Sequence, residues 1–168
     1  MASKSSILLF YLIPIFLIIS SSSADQEKNL VFYVQETTGG PNATVIIVAG
    51  VNGSSSAYGF GTIIVVDDIL TEKPERSSMG LGRVQGTFVS TGSTTFHLEI
   101  SVVFENGAYN GSSLQVQGAG NTFVGPREYA IVGGTGLFRY AHGFAAVTTV
   151  ASSGFDMTLQ YNATFRLD

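Results

Sequence analysis

The segment FDMTLQYNATFRL, residues 155–167, alternates along its length between apolar and polar residues. Because successive side chains of a β-strand point to opposite faces, this period of two predicts a strand with one dry and one wet face. The predicted inward row is Phe155, Met157, Leu159, Tyr161, Ala163, Phe165 and Leu167. Asn162 belongs to the polar row and begins an N-x-T sequon, and a glycan there must point to solvent, which also places the aromatic row inside.

Eight further segments have the β-branched and aromatic composition of strands, with Gly, Ser, Asn and Pro between them. They are residues 29–35, 44–51, 60–69, 82–90, 95–104, 113–118, 128–134 and 143–151. Glycine is abundant, at 20 of 168 residues, and charged residues make up only 12%. No segment shows an apolar stripe of helical period, so the pattern excludes a helical bundle and predicts an all-β barrel or sandwich of eight or nine strands.

The residue types present exclude several kinds of site. The chain has no cysteine and only two histidines, His97 and His142, which we interpret as surface or structural residues. It contains no G-x-S-x-G, no phosphate-binding G-x-x-x-x-G-K-[ST] and no H-E-x-x-H motif. The glycine-rich stretches at 80–86 and 132–139 lack dinucleotide-binding spacing. We therefore expect no metal ion and no cofactor.

Residues 1–24 have the features of a secretory signal peptide. The apolar stretch ILLFYLIPIFLII, residues 7–19, follows Lys4 and precedes a serine run that ends in Ser22-Ser23-Ala24, with small residues where signal peptidase needs them. Thirteen residues interrupted by proline are short for a membrane span. We expect a mature domain of residues 25–168 secreted to the extracellular space; the alternative is a retained anchor.

The predicted mature region contains N-glycosylation sequons at Asn42, Asn52, Asn110 and Asn162. Behind a signal peptide, this number favours an extracellular glycoprotein. A secreted domain without disulfides must draw its stability from a closed sheet, a large core or subunit association. The segments at 44–51 and 60–69 are apolar on both faces, which predicts a homo-oligomer that covers the outer face. A well-buried sandwich strand would give the same pattern.

Charged residues next to apolar strands are the candidates for chemistry. They are Glu36, Asp67, Asp68, Arg127 and Glu128. A carboxyl group beside an apolar cavity has a raised pKa and can protonate a carbonyl oxygen, and an arginine can bind a phenolate. The alternative is that these groups cap strand ends or pair across subunits. Asp67 and Asp68 are adjacent on one strand, so at most one of them can point inward.

Six stretches of the chain carry a family resemblance: FYVQETTGGPNATVIIVAG (32–50), FGTIIVVDDILTE (60–72), GRVQGTFVS (82–90), YNGSSLQVQG (109–118), PREYAIVGGTGLFRYAHG (126–143) and QYNATF (160–165). In sequence and order they resemble the corresponding stretches of plant dirigent proteins. The resemblance covers essentially the whole predicted mature chain. It implies an eight-stranded antiparallel β-barrel similar to allene oxide cyclase, a homo-oligomer for which trimers are typical, and secretion to the apoplast.

The resemblance also implies a function. Dirigent proteins bind phenoxy radicals, made by a separate laccase or peroxidase from a phenol such as coniferyl alcohol, and direct their coupling to an optically active lignan. They do so by orientation more than by oxidation. Some members of the family instead act on a preformed quinone methide, for instance in dehydrative ring closure.

Pocket positions of the family correspond to residues of this chain. Glu36 is similar to a family aspartate, Arg127 to the pocket arginine and Thr149 to a pocket threonine. Gly120 stands where lignan-forming members have a second aspartate. Three other ligand-binding positions carry different side chains here: Phe88 and Ser90 replace a tyrosine pair, and Met157 replaces a phenylalanine. With one acid, the pocket supports a single closure or the orientation of radicals, unless Asp67 or Asp68 supplies the second acid.

Three hypotheses follow. The protein guides the stereochemistry of phenoxy radical coupling, and a separate oxidase supplies the radicals. Alternatively, it is a quinone methide isomerase or dehydratase in which Glu36 and Arg127 are catalytic. A third possibility is a wall or defence protein that binds a phenolic compound or a glycan without catalysis.

Overall fold

The computed structural model describes residues 26–53, 56, 59–121 and 126–167 of the chain. Nine strands make up most of this part: β1 (Lys28–Thr37), β2 (Val45–Ala49), β3 (Ile63–Thr71), β4 (Gly80–Ser90), β5 (Thr95–Phe104), β6 (Ser113–Asn121), β7 (Arg127–Thr135), β8 (Ala141–Ser153) and β9 (Asp156–Leu167). Short 3₁₀ turns lie at Val51–Gly53, Gly107–Tyr109 and Gly136–Phe138. Each predicted segment contains one strand, so the all-β prediction is confirmed.

The predicted signal peptide at residues 1–24 lies outside the described residues. Among those described, we find no helix with the length and hydrophobicity needed to traverse a lipid bilayer.

The strands form one antiparallel sheet that closes on itself. Their order is β1-β9-β8-β7-β6-β5-β4-β3, and the pairing of β1 with β3 joins the two ends. Strand β2 lies outside this ring and pairs with the first half of β3, whereas β1 pairs with the last three residues of β3. Closure gives the ring strands partners on both sides. The predicted eight-stranded antiparallel barrel is confirmed.

Alternation along the strands fills the interior. On β3, Ile64, Val66, Asp68 and Leu70 are buried, and Val65, Asp67 and Ile69 between them face outward. The largest fully buried apolar side chains come from strands on all sides of the barrel: Phe32, Phe104, Leu70, Leu98, Leu114 and Ile131. Each such side chain contributes roughly 1.5–3 kcal/mol to the free energy of unfolding through its burial. The barrel interior is therefore a packed core over most of its length.

The last strand largely follows the alternation predicted for it. Four residues of the predicted inward row are buried: Leu159, Tyr161, Ala163 and Phe165. Met157 and Leu167, nearer the ends of the strand, are half-buried. The prediction for Phe155 was wrong, because its side chain is 62% exposed. Phe155 lies in the turn between β8 and β9, before β9 begins at Asp156, so the strand period does not apply to it.

Aromatic side chains close one end of the barrel. We call this the aromatic end: Phe32, Phe104, Tyr109, Phe138 and Phe165. The ring of Phe104 lies 6.1 Å from that of Phe32, 5.6 Å from that of Tyr109 and 5.4 Å from that of Phe138. The edge-on and tilted geometries of these pairs are those that aromatic quadrupoles favour. The packing of these rings therefore contributes to the free energy of unfolding.

The outer face of β2 and β3 is apolar and exposed in the single chain. Ile46 and Val48 of β2 are 52% and 57% exposed, and Val65 and Ile69 of β3 are 39% and 42% exposed. These are the strands for which the sequence predicted a covered outer face. A surface of this kind is typical of a contact with another protein surface.

Candidate functional site

Glu36 lies inside the barrel, near the end opposite the aromatic end. It follows Phe32 and Val34 in the inward row of β1 and is only 7% exposed. Burial disfavours the charged carboxylate and raises the pKa of Glu36 to about 7, although the positive charge of Arg127 opposes the rise. The carboxyl group is therefore protonated in mildly acidic solution and can donate a proton.

Asp68 is a second inward acid. It continues the inward row of β3 and is 1% exposed. The last pair between β1 and β3 is Gln35↔Ile69, and one further step of this antiparallel register brings Glu36 opposite Asp68. Burial, and next the negative charge of Glu36, raise the pKa of Asp68 to about 7. The two acids form a pair that does not readily ionise together.

Asp67 points the other way. Its carboxylate accepts a hydrogen bond from Arg83 Nε at 2.8 Å and forms an ion pair with Arg83 Nη2 at 2.6 Å. The hydrogen bond from Arg83 lowers the pKa of Asp67. The sequence left open which of the two aspartates points inward, and the structure assigns that position to Asp68. The signal was present in the sequence, because Asp68 is in phase with Ile64 and Val66.

Arg127 supplies positive charge to the same region. It begins β7, is half-buried, and donates through Nη2 to Thr149 Oγ1 at 3.2 Å. Its Nε is buried and has no hydrogen-bond partner within the described part of the chain. An unpaired buried N–H is costly, so this donor is suited to a ligand oxygen. Thr149, which is itself exposed, acts here by orienting the guanidinium.

Two tyrosines that the sequence did not single out as site residues complete the polar group. Burial raises the pKa of Tyr129 to about 12, with opposing smaller effects of Arg127 and Glu36. Burial also raises the pKa of Tyr161, which is 3% exposed and stacks on Phe32 with a ring separation of 5.3 Å. Both hydroxyls are neutral at physiological pH and can donate or accept a hydrogen bond.

An aromatic wall adjoins these groups. The ring of Phe88 lies 5.5 Å from that of Phe96, which lies 6.4 Å from that of Tyr129. Gly120 pairs with Phe96, and a Cβ atom there would lie 2.6 Å from Phe96 Cζ and 2.7 Å from the Tyr129 hydroxyl. The absence of a side chain at this position therefore makes room for both rings.

The remaining predicted positions lie near this wall or beside Glu36. Ser90 is 4% exposed and pairs with Phe96 in the β4–β5 register. Met157 pairs with Glu36 in the β1–β9 register and is half-buried. We call the whole region the acidic end: Glu36, Asp68, Arg127, Thr149, Tyr129, Phe88, Phe96, Ser90, Gly120 and Met157. The structure thus gathers the predicted pocket residues at one end of the barrel and adds Asp68, Tyr129 and Phe96 to them.

The main chain of Glu36 is also held from outside the barrel. Arg76, in the loop between β3 and β4, donates from Nη2 to the Glu36 carbonyl oxygen and forms an ion pair with Asp156 Oδ1 at 3.1 Å. Beneath this loop, Gln35 is 1% exposed, and its Nε2 donates to Thr71 Oγ1 at 2.9 Å. These contacts fix the strand segment that carries the inward acid.

The other predicted positions lie elsewhere. The sequon residues Asn42, Asn52, Asn110 and Asn162 are all exposed, as glycan attachment requires. His97 and His142 stand at outward-facing positions of β5 and β8. In the described part of the chain, no cluster of three or more His, Cys, Asp or Glu residues is arranged to hold a metal ion.

Comparison with known proteins agrees with this architecture. Residues 27–166 match the model of the Dirigent-like protein family. Dirigent protein 1 of Arabidopsis thaliana is 42% identical over 105 residues, 61% of this chain and 58% of that protein. Dirigent protein 15 of the same species is 39% identical over 73% of this chain and 70% of that protein. Pterocarpan synthase 1 of Glycine max is 38% identical over 62% of this chain and 59% of that protein.

Solved structures show the same fold. The pterocarpan synthase dirigent protein GePTS1 superposes with a TM-score of 0.77 at 31% identity and covers 86% of each chain. PsPTS1, also a pterocarpan synthase dirigent protein, gives 0.76 at 33% identity over 85% of this chain and 97% of that one. The chain spans 58% and 63% of the length of the first two curated relatives that it matches. From its matched residues, its barrel and these likenesses, the chain belongs to the dirigent-like protein family.

Proposed function

We propose that this protein binds phenoxy radicals of a phenylpropanoid, of the coniferyl alcohol type, and directs their coupling to an optically active lignan. The observation that supports this most is the acidic end itself. It joins two buried carboxyl groups with raised pKa values, an arginine with a spare buried donor and an aromatic wall. A phenolic ring has the complementary features: an aromatic face and one polar oxygen.

The coupling reaction needs a separate oxidant. A laccase or peroxidase removes one hydrogen atom from each of two phenols, and the radicals then form one carbon–carbon bond to give a bis-quinone methide. Each quinone methide closes when a side-chain hydroxyl adds to it. The hydroxyl loses a proton and the quinone methide oxygen gains one, so this second stage is an isomerisation without net oxidation.

The residues of the acidic end fit the roles that these steps require. Arg127 Nε donates to the phenolic oxygen, and Phe88 and Phe96 hold the ring in one orientation. Glu36 or Asp68 gives its proton to the quinone methide oxygen and recovers one from the hydroxyl that adds. A pKa of about 7 keeps both acids protonated in a mildly acidic extracellular space.

A second candidate is the closure of a single preformed quinone methide without an oxidant. This candidate is supported by the adjacency of Glu36 and Asp68. Two adjacent acids serve one quinone methide oxygen, whereas a bis-quinone methide has two separate oxygens to protonate. The likeness to pterocarpan synthases favours this candidate as well.

Secretion, glycosylation and assembly are also proposals for this chain. The signal-like segment at residues 1–24 and the exposed sequon asparagines support a secreted glycoprotein. The exposed apolar face of β2 and β3 supports a homo-oligomer in which another copy covers Ile46, Val48 and Val65. A trimer is what the family resemblance implies.

The test is chiral chromatography of the lignans formed from coniferyl alcohol and a laccase, with and without the glycosylated mature protein. We expect an enantiomeric excess with the unaltered protein and near-racemic product with Glu36→Gln. The matched control is Glu128→Gln, an exposed acid on β7, which should leave the excess unchanged.

The same set of proteins, added to a preformed quinone methide without oxidant, separates the two candidates. Racemic coupling together with a closure about 100-fold slower in Glu36→Gln would favour the second candidate over the first. Racemic coupling without faster closure in the unaltered protein would contradict both, and would leave the non-catalytic binding hypothesis.

A further inference from the structure

Thr44 lies where β3 changes partner. The ladder between β3 and β1 ends at Gln35↔Ile69, and the ladder between β3 and β2 begins at Val45↔Val66. In between, Thr44 N donates to Thr37 O at 2.8 Å, and Thr37 N donates to Thr44 Oγ1 at 2.9 Å. The Thr44 hydroxyl oxygen thus accepts the hydrogen bond from Thr37 N–H that the carbonyl oxygen of a neighbouring strand would accept in a regular ladder.

The geometry determines where the Thr44 hydroxyl proton goes. Oγ1 already accepts from Thr37 N, and its single proton is donated to Asp68 Oδ1. The alternative acceptor, Thr37 O, is 3.5 Å away. Asp68 Oδ1 is therefore an acceptor toward the Thr44 side, and in the neutral acid the proton belongs on Oδ2.

Several charged or titratable groups act on Asp68. Glu36 of β1 and Asp67 on the same strand raise its pKa, whereas Thr44 and Arg83 of β4 lower it. Tyr161 of β9 is also coupled to Asp68 and stays neutral. Among these influences the Thr44 hydroxyl acts through a hydrogen bond, so it controls the orientation of the carboxyl group as well as its charge.

We infer that Thr44 is a positioning residue whose hydroxyl orients Asp68 so that its transferable proton sits on Oδ2, away from the Thr44 side. The inference rests on the proposed function, in which Asp68 donates a proton to a bound quinone methide oxygen. In that step the Oδ2–H bond breaks, a new O–H bond forms on the ligand, and the hydroxyl that closes the ring returns a proton to the carboxylate.

Thr44 also completes the sequon Asn42-Ala43-Thr44, and this allows a matched set of variants. Thr44→Val keeps the shape of the side chain but removes both the hydroxyl and the sequon. Asn42→Gln removes the sequon and keeps the hydroxyl, and Thr44→Ser keeps both. Any effect of losing a glycan appears in the first two variants, whereas an effect of losing the hydrogen bond appears in Thr44→Val alone.

The first readout is direct titration of the Asp68 carboxyl carbon by ¹³C NMR, with assignment from Asp68→Asn. Loss of a hydrogen bond to the charged form should move the titration midpoint in Thr44→Val upward by about one pH unit. Asn42→Gln and Thr44→Ser should titrate like the unaltered protein. An unchanged midpoint in Thr44→Val, or an equal rise in Asn42→Gln, would overturn the inference whatever the protein catalyses.

The second readout is the pH dependence of the enantiomeric excess or of quinone methide closure. In Thr44→Val the alkaline limb should move to higher pH in parallel with the NMR midpoint, with unchanged affinity for the phenol, and Thr44→Ser should restore it. If the midpoint moves but the unaltered protein has neither activity, the proposed function fails and Thr44 still holds Asp68. If the midpoint moves and an observed activity shows no matching change, the role of Thr44 in proton transfer is wrong.

If Thr44→Val does not fold, the unaltered protein provides the test. The Thr44 hydroxyl proton should exchange slowly with water and show a through-bond coupling to the Asp68 carboxyl carbon. Rapid exchange at low temperature without that coupling would overturn the inference.

Discussion

The same strands build the two ends of the barrel in opposite ways. At the aromatic end, inward positions carry rings such as Phe104 and Phe138, whose centroids lie 5.4 Å apart. At the acidic end, inward positions carry Glu36, Asp68 and Arg127, and Gly120 lets the rings of Phe96 and Tyr129 approach the backbone closely. One end gains stability from packing, and the other gives up stability to keep titratable groups out of water. The difference separates the buried titratable groups from the end of the barrel that is packed with rings.

Removal of a ring from the aromatic end should have the largest effect on stability. Phe104 is 1% exposed and contacts three other rings of that end. We expect Phe104→Ala to lower the free energy of unfolding by about 3–5 kcal/mol, because it leaves a cavity that the surrounding strands fill only in part. Urea unfolding monitored by circular dichroism measures this. A loss below about 1 kcal/mol would mean that this end is not the stabilising one.

The acidic end should make stability depend on pH. Glu36 and Asp68 have folded-state pKa values of about 7, above their usual values of 4.5 and 3.8. Their protonation stabilises the fold fully below about pH 4, and this contribution is lost as the pH rises through 7. The loss is on the order of 3 kcal/mol for Glu36 alone. Urea unfolding between pH 4 and pH 8.5 measures it.

Substitutions at three acidic residues test this prediction, and one of them is its control. Asp68→Asn and Glu36→Gln should each flatten the decline at alkaline pH. Asp67→Asn, one residue away on the outer face, should leave that decline intact, because the pKa of Asp67 is lowered and its contribution disappears only in acid. If the free energy of unfolding of the Glu36→Gln, Asp68→Asn double variant still falls as the pH rises through 7, these two acids are not the cause of the decline.

A methyl group at Gly120 tests the packing of the aromatic wall at the acidic end. It would meet Phe96 and the Tyr129 hydroxyl at less than 3 Å, so both rings must shift. We expect Gly120→Ala to lower the free energy of unfolding by about 1–3 kcal/mol and to weaken binding of a phenol, measured by calorimetry. Gly133→Ala is the matched control, because a Cβ atom there meets nothing within 4 Å. Unchanged binding in Gly120→Ala would place the ligand elsewhere.

The smallest effect is expected at an aromatic residue outside the barrel. Phe155 is 62% exposed, so Phe155→Ala should change the free energy of unfolding by no more than about 0.5 kcal/mol. Thermal and urea unfolding, run beside Phe104→Ala, provide the comparison. If Phe155→Ala destabilised the protein as much as Phe104→Ala, the exposed fraction of an aromatic side chain would not determine its contribution to stability.

The sequence predicted most of the fold because strand period and turn residues act locally. The alternation of residues 155–167 gave the inward row of β9, and the punctuated apolar segments gave all nine strands. Phe155 was assigned wrongly because the tight turn before β9 delays the start of the strand to Asp156, one residue later than the pattern suggests. β3 pairs with β2 along its first half and with β1 at its last three residues. Strand period does not predict this change of partner, because the same apolar residues can pair with either strand.

The candidate site was predictable in part. The family resemblance pointed to Glu36 and Arg127, and the structure brings them into electrostatic contact. The choice between Asp67 and Asp68 needed the phase of β3 relative to its buried residues, which the strand pattern contained. Tyr129 and the bond from Thr44 to Asp68 needed tertiary structure, because both depend on which strands meet across the barrel.

A crystal structure with coniferyl alcohol or a coupled lignan will show whether a phenolic ligand binds at the acidic end. We predict the phenolic oxygen within about 2.7–3.2 Å of Arg127 Nε, with the ring against Phe88 and Phe96 and a second ligand oxygen near Glu36 or Asp68. A ligand bound among the rings of the aromatic end or on the outer face, with Arg127 Nε still unpaired, would contradict phenol binding at the acidic end.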